Sequence, residues 1–214
     1  MRIRASIFTV LLLAGLAGAL PISEDPISLY SFLPDGSVGN GENDIFCQYY
    51  DFALGTYVDM VSGNNGLWKA DLLYGVPTIV NVATDIEVTQ STVSRNQINL
   101  WSVINIGPTC LEGTGSVRVQ GSVFTTSGGP LHFSIYKGLD SITRPDCQVW
   151  TINGAGAFDF EVPFVNGERL LLACASDESG TLPVGLWQDV QFTLVPEPAT
   201  MAVLALGALL IRKR

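Results

Sequence analysis

Two stretches decide the fold: Ser116–Phe124, SVRVQGSVF, and Phe158–Phe164, FDFEVPF. In the second, Phe158, Phe160, Val162 and Phe164 fall on alternate positions, with Asp159 and Glu161 between them. In the first, Val117, Val119, Gly121 and Val123 alternate with Arg118, Gln120 and Ser122. Successive strand side chains point to opposite faces, so this period of two marks half-buried strands. Outward from these lie similar runs: VPTIVNVATDIEV near Val76, QINLWSVINI over Gln97–Ile106, LHFSIYKG from Leu131, CQVWTI from Cys147, ERLLLACA from Glu168 and DVQFTL from Asp189. Asn153-Gly154 and Asn166-Gly167 are tight-turn signals between them. No sustained 3.6-residue pattern intervenes, so the expectation is an all-β, antiparallel sandwich or jelly roll. Ile22–Tyr74, rich in aromatics and turn residues, reads as early strands on long loops that close one edge.

The ends have a different character. Arg2 and Arg4 precede an apolar run, Ala5–Leu16, and then Ala17-Gly18-Ala19. That order is a secretory signal peptide, with cleavage placed after Ala19. At the other end, Ala199–Ile211 is thirteen residues without a charge, followed by Arg212, Lys213 and Arg214. As a helix it would span about 20 Å, short of the roughly 30 Å bilayer core. The basic end suits a terminus held in the cytoplasm. The expected organisation is 1–19 signal peptide, 20–194 β-sandwich domain and 195–214 sorting tail. Between the ends, six basic residues face nineteen acidic ones, near −13. That sign repels phosphate backbones and argues against nucleic acid as a partner.

Val195–Arg214, VPEPATMAVLALGALLIRKR, resembles the C-terminal sorting signal of the PEP-CTERM family. Pro196-Glu197-Pro198 matches its tripeptide, and the apolar helix and basic end follow in order. The resemblance implies an exosortase-type processing enzyme as partner. It also implies at least transient membrane attachment through the tail, and residence in the cell envelope, at the cell surface or in the extracellular matrix. From about Gly115 to Leu194 the body is similar to β-sandwich bodies found upstream of such tails, which resemble carbohydrate-binding jelly rolls in layout.

Cys47, Cys110, Cys147 and Cys174 lie in the body, with no C-x-x-C spacing. In an oxidising compartment they read as two disulfides. Closing the shorter loops favours Cys47–Cys110 with Cys147–Cys174, and the other two connectivities stay open.

No catalytic motif stands out, and the expectation is a protein that is not an enzyme. His132 shares a strand face with Ser134 and Tyr136, and no G-x-S-x-G accompanies it. Asp159 and Glu161 stand roughly 7 Å apart along a strand, a spacing that could suit a glycosidase pair, but the alternation reads more simply as a solvated face. Asp35, Asn40, Glu42, Asn43 and Asp44 cluster in a Gly-rich loop. Calcium takes such oxygens, so Asp35, Glu42 and Asp44 are weak calcium candidates. The order departs from the EF-hand loop, and no cofactor is otherwise expected. Asp177 and Glu178 are a weaker set of the same kind. Trp101 shares parity with Asn99 and Asn105, and Trp187 with Asp189 and Gln191. Aromatics on amide-bearing faces can stack on sugar rings, which makes both a candidate glycan platform. The expected function is an exported structural or binding module. The alternatives are a carbohydrate-binding module for exopolysaccharide and, more distantly, a secreted hydrolase.

Overall fold

The structure is a computed structural model. It describes residues 26–33, 40–41, 44–52, 54–62, 66–71, 77–90, 100–107, 115–139, 142–165, 167–176 and 182–195. The signal peptide, the Pro196-Glu197-Pro198 motif with the apolar run after it, Cys110, Asp35, Glu42, Asn43, Asn99, Asp177 and Glu178 lie outside these residues.

The described chain is all-β apart from two short helical turns. The strands are β1 (Ile27–Ser28), β2 (Ile45–Asp51), β3 (Thr56–Asp59), β4 (Val61–Ser62), β5 (Leu67–Lys69), β6 (Thr78–Val82) and β7 (Asp85–Thr89), then β8 (Leu100–Ile106), β9 (Ser116–Ser127), β10 (His132–Gly138), β11 (Gln148–Asn153), β12 (Gly156–Pro163), β13 (Arg169–Ala175) and β14 (Val184–Val195). One helical turn, α1 (Leu29–Phe32), follows β1, capped by the Ser28 hydroxyl accepting from Tyr30 N–H. A 3-10 turn, Pro145–Cys147, precedes β11.

Two antiparallel sheets form. The eight-stranded sheet runs β12-β9-β14-β7-β6-β5-β4, with β1 also on β14, and the six-stranded sheet runs β11-β10-β13-β8-β2-β3. The early strands β3 and β4–β5 take the edge positions on one side of each sheet. From β8 onward the chain passes repeatedly between the sheets, so each strand's apolar face meets that of the other layer. The core between them includes Ile45, Ile104, Ile106, Val117, Val119, Phe133, Ile135, Leu170, Leu172 and Phe192, each 1 % exposed or less. Burying such side chains is worth about 1.5–3 kcal/mol each.

The two deciding stretches become β9 and β12, paired Phe158 to Gly121, Phe160 to Val119 and Val162 to Val117. Gly121 holds an inward position because a Cβ there would stand 2.9 Å from the Phe158 ring and 3.0 Å from Val190 Cα. VPTIVNVATDIEV divides into β6 and β7 at a turn where Ala83 has φ +55°.

Strand β14 departs from strict alternation. Its register on β9 shifts between Gln188 and Gln191, and Asp189 adopts φ +49°. The Asp189 N–H bonds the Asp85 carboxylate instead of continuing the ladder. Such a bulge inserts one residue and exchanges the faces on either side of it. Trp187 before it and Val190 and Phe192 after it therefore all point into the core, at 1 %, 2 % and 0 % exposed.

The two-disulfide expectation is not met. Cys47, Cys147 and Cys174 carry free thiols. Cys47 pairs with Ile104 of β8, and Cys174 lies across from Ser102 of the same strand. They are two strand spacings apart, about 10 Å, beyond the roughly 7 Å Cα limit for a bridge. Cys147 precedes β11, which β10 separates from β13, so Cys147–Cys174 fails by the same measure. Cys47 and Cys147 lie further apart still. Any two-bridge scheme needs one bridge among these three, and the register provides none.

Candidate functional site

Along β2, Ile45, Cys47 and Tyr49 enter the core, and Gln48 and Tyr50 take the other face. The same alternation puts Trp101, Val103 and Asn105 of β8 on that outer face of the six-stranded sheet. Tyr57 and Asp59 of β3, Leu171 and Ala173 of β13, and Ser134 and Tyr136 of β10 lie there too. A sheet face turned to water is usually polar. This one holds a second apolar cluster: Tyr50, Val103, Tyr136, Ile142, Leu171 and Ala173 are buried, with Tyr57 and Trp101 packed against them. Ile142, from the β10–β11 connection, is buried in this cluster, and its backbone N–H reaches the Tyr57 hydroxyl at 3.4 Å. Burial holds the Tyr136 phenol above its ordinary range, against a smaller lowering by its hydrogen bond with Ser134.

At one end of this face four rings gather. Trp101 lies opposite Tyr50, and Tyr50 opposite Tyr57. Tyr50, 4 % exposed, is the hub. Its ring meets Phe52 at 4.7 Å and Tyr57 at 4.9 Å, and Phe52 meets Trp101 at 5.2 Å, all edge-on. Such pairs contribute roughly 0.5–1.5 kcal/mol each beyond area burial, which fixes the rings in place. Phe52 is 45 % exposed, Trp101 and Tyr57 are half-buried, and Leu54 beside them is 69 % exposed.

Next to the rings runs a polar ladder across three strands. Asn105 Nδ2 donates to Gln48 Oε1 at 2.8 Å, and Gln48 Nε2 donates to Asp59 Oδ1 at 2.8 Å. Asn105 is 3 % exposed, and its Oδ1 has no hydrogen-bond partner. A buried acceptor left unpaired costs about 1–3 kcal/mol. Rings and ladder together make an apolar surface bordered by the Gln48 amide, itself held by buried Asn105, and the Asp59 carboxylate.

Of the expected platform, Trp101 lies on this face and Trp187 does not. Trp187 is packed in the core against Phe133, Trp150 and Phe158, at ring distances of 5.2, 6.5 and 6.2 Å. The bulge at Asp189 reversed the parity on which the expectation rested. The sequence reading missed Phe52, Tyr50, Tyr57 and Gln48. The run CQYYDF carried a signal, two adjacent tyrosines amid alternation, but only the pairing of β2 with β8 brings them to Trp101.

The other candidates disperse. His132 stands half-buried on the outer face of β10, across from Asn153 and Ala175. Asp159 and Glu161 are exposed on the opposite side of the molecule, as a solvated face should be. Asp159 forms a bidentate pair with Arg118 at 2.7 and 2.6 Å, and that hydrogen bonding holds its carboxyl below the usual range. Glu161 lines a separate open cleft of about 470 Å³, together with Lys137, Arg144, Asp146, Cys147 and Glu168. Its bases are already matched, Lys137 to Glu168 at 3.1 Å and Arg144 to Asp146 at 2.8 Å. Of the calcium candidates only Asp44 is described, and its carboxylate packs over Gly107. Among the described residues no group of three or more His, Cys, Asp or Glu is arranged to hold a metal, and no helix is long and apolar enough to cross a membrane.

No family model matches the chain, and no curated protein matches it. Among solved structures it is similar to CBM51 from Clostridium perfringens GH95 in complex with methyl-galactose, at 13% identity and a TM-score of 0.37, over 79% of this chain and all of that one. A CBM4 structure aligns at 12% identity and a TM-score of 0.33, over 55% of this chain and 74% of that one. An Arthrobacter globiformis T6 isomalto-dextranase complexed with panose aligns at 9% identity and a TM-score of 0.31, over 81% of this chain and 33% of that one. These likenesses carry no argument about what this chain binds.

Proposed function

We propose that this chain is an exported, non-catalytic β-sandwich module of the cell surface or extracellular matrix. In this reading it binds polysaccharide through the outer face of its six-stranded sheet. The observation that carries the proposal is the ring set Phe52, Tyr57 and Trp101, held by the buried Tyr50 and bordered by Gln48 and Asp59. A pyranose has an apolar C–H face and a rim of hydroxyls. Rings take the first, and amides and carboxylates take the second. Contacts of this kind are individually weak, so millimolar to micromolar affinity is expected, about −4 to −8 kcal/mol. Glycan pull-down and calorimetry on the parent, Trp101→Ala and Phe52→Ala test it. Both variants should remain folded and lose binding at least tenfold. A parent that binds no glycan, or variants that bind as the parent does, would leave a structural role in its place.

The sorting half of the proposal rests on the resemblance of Val195–Arg214 to a PEP-CTERM signal. In a host with a working exosortase, intact mass of the surface protein should lack the segment after about Pro198. A full-length tail on surface-exposed protein would sink it.

A further inference from the structure

We infer that, while its tail holds it to a membrane, this chain stands on the lipid surface by one particular end of the sandwich. That end carries Leu139 and Val165, and it directs Phe52 and Leu54 away from the bilayer. The inference rests on the reading of Ala199–Ile211 as a membrane-entering segment and adds which surface of the body meets lipid.

The first argument is reach. Strand β14 ends at Val195, and only Pro196, Glu197 and Pro198 separate it from Ala199, where the uncharged run begins. Four steps of chain span at most about 14 Å. Once the run enters a bilayer, Val195 is held close to the surface, and the end of the sandwich that carries it is brought down too.

The strand register says what else lies at that end. Val195 pairs with Ser116, and Ser116 pairs on its other side with Pro163. Pro163 is therefore about 10 Å from Val195, two strand spacings away. Val165 follows two residues later and is 68 % exposed. Lys137 Nζ donates to the Pro163 carbonyl at 2.7 Å and lies 5.9 Å over the Phe164 ring, which ties the end of β10 to the end of β12. Leu139, just past β10, is 74 % exposed and stands beside Gly167, where a Cβ would meet it at 3.8 Å. In the six-stranded sheet the same end holds Gly138 opposite Arg169, Leu170 opposite Ile106, and Ile106 opposite Ile45. Strand β2 runs from Ile45 away from it, so Phe52, seven residues on, is roughly 23 Å distant.

The second argument is surface chemistry. Leu139 and Val165 are apolar side chains that water gains nothing by holding, and a lipid interface buries such groups favourably. Four of the six basic residues of the body also gather at this end. Arg118 lies two residues along β9 from Ser116, Arg169 lies opposite Gly138, and Lys137 and Arg144 line the cleft with Pro163. A body near −13 is repelled by anionic lipid, and the repulsion is least where its bases are collected.

The test places the photoreactive residue p-benzoylphenylalanine at Leu139, at Val165 or at Leu54 in the full chain. Leu54 is 69 % exposed at the far end, so the three positions differ in place and not in exposure. Each variant is reconstituted with vesicles of phosphatidylethanolamine and phosphatidylglycerol, floated, irradiated and analysed by mass spectrometry for lipid adducts. The expected result is at least tenfold more adduct at Leu139 and Val165 than at Leu54. A chain that floats with the vesicles but gives equal adducts at all three positions, more at Leu54, or none anywhere would overturn the orientation while leaving the membrane-entering tail intact. A chain that does not float with the vesicles would remove the tail reading and the orientation with it.

Discussion

Trp187 offers a sharp test of the fold, because two readings of one side chain differ by several kcal/mol. The ring is 1 % exposed and surrounded by Phe133, Trp150 and Phe158. Trp187→Ala should then cost about 3–5 kcal/mol, the range for truncating a buried aromatic. Trp101, half-buried on the outer face, should cost less as Trp101→Ala, about 1–2 kcal/mol by apolar area. Trp187→Phe is more informative still. It removes roughly 40 Å³, worth about 1 kcal/mol at about 24 cal/mol per Å³. It also removes an indole Nε1–H that is buried with no hydrogen-bond partner, and relieving such a donor returns about 1–3 kcal/mol. The two effects oppose, and the net should lie between no change and a gain of about 2 kcal/mol. Urea unfolding followed by far-UV circular dichroism measures all three, provided the slope m is unchanged. If Trp187→Ala costs no more than Trp101→Ala, the bulge and the inward ring are wrong. If Trp187→Phe costs as much as Trp187→Ala, the indole N–H has a partner and the offset was misjudged.

Gly121→Ala should lose about 1–3 kcal/mol by overpacking, since the new methyl would meet the Phe158 ring at 2.9 Å and two backbone atoms at 3.0 and 3.1 Å; a neutral result in thermal melts would mean that β9 and β14 separate easily. Alkylation of the native protein should modify half-buried Cys147 well before Cys47 and Cys174, whose thiols burial pushes above their ordinary range. Early labelling of the two core thiols, or a peptide map linking any two of the three, would contradict the strand register. Arg118 holds Asp159 below the usual carboxylate range, so this pair's small contribution is present above the unfolded value of about 3.9 and fades as pH falls through the lower folded value. Arg118→Ala should bring the Asp159 midpoint up toward about 3.9 in an NMR titration, and an unmoved midpoint would assign the lowering to another group.

The sequence by itself determined the fold class and most of the strands. FDFEVPF, SVRVQGSVF and LHFSIYKG each carry enough alternation to name a strand and its buried face, and β12, β9 and β10 keep those faces. The reason is physical: a strand's side-chain period is two, so a local pattern suffices when the pairing is regular. Two things needed the tertiary structure. One was the face of Trp187, because a single extra residue at Asp189, set by its bond to Asp85 more than a hundred positions away, reverses parity without a local mark. The other was everything that depends on strands distant in sequence. The distances among Cys47, Cys147 and Cys174 follow from the order β11-β10-β13-β8-β2, not from loop length. The gathering of Phe52, Tyr50 and Tyr57 around Trp101, with Gln48 between Asn105 and Asp59, likewise exists only because β8 lies beside β2 and β2 beside β3. Periodicity records which way a side chain points; which side chains then become neighbours is decided by strand order, which is set by packing over the whole core.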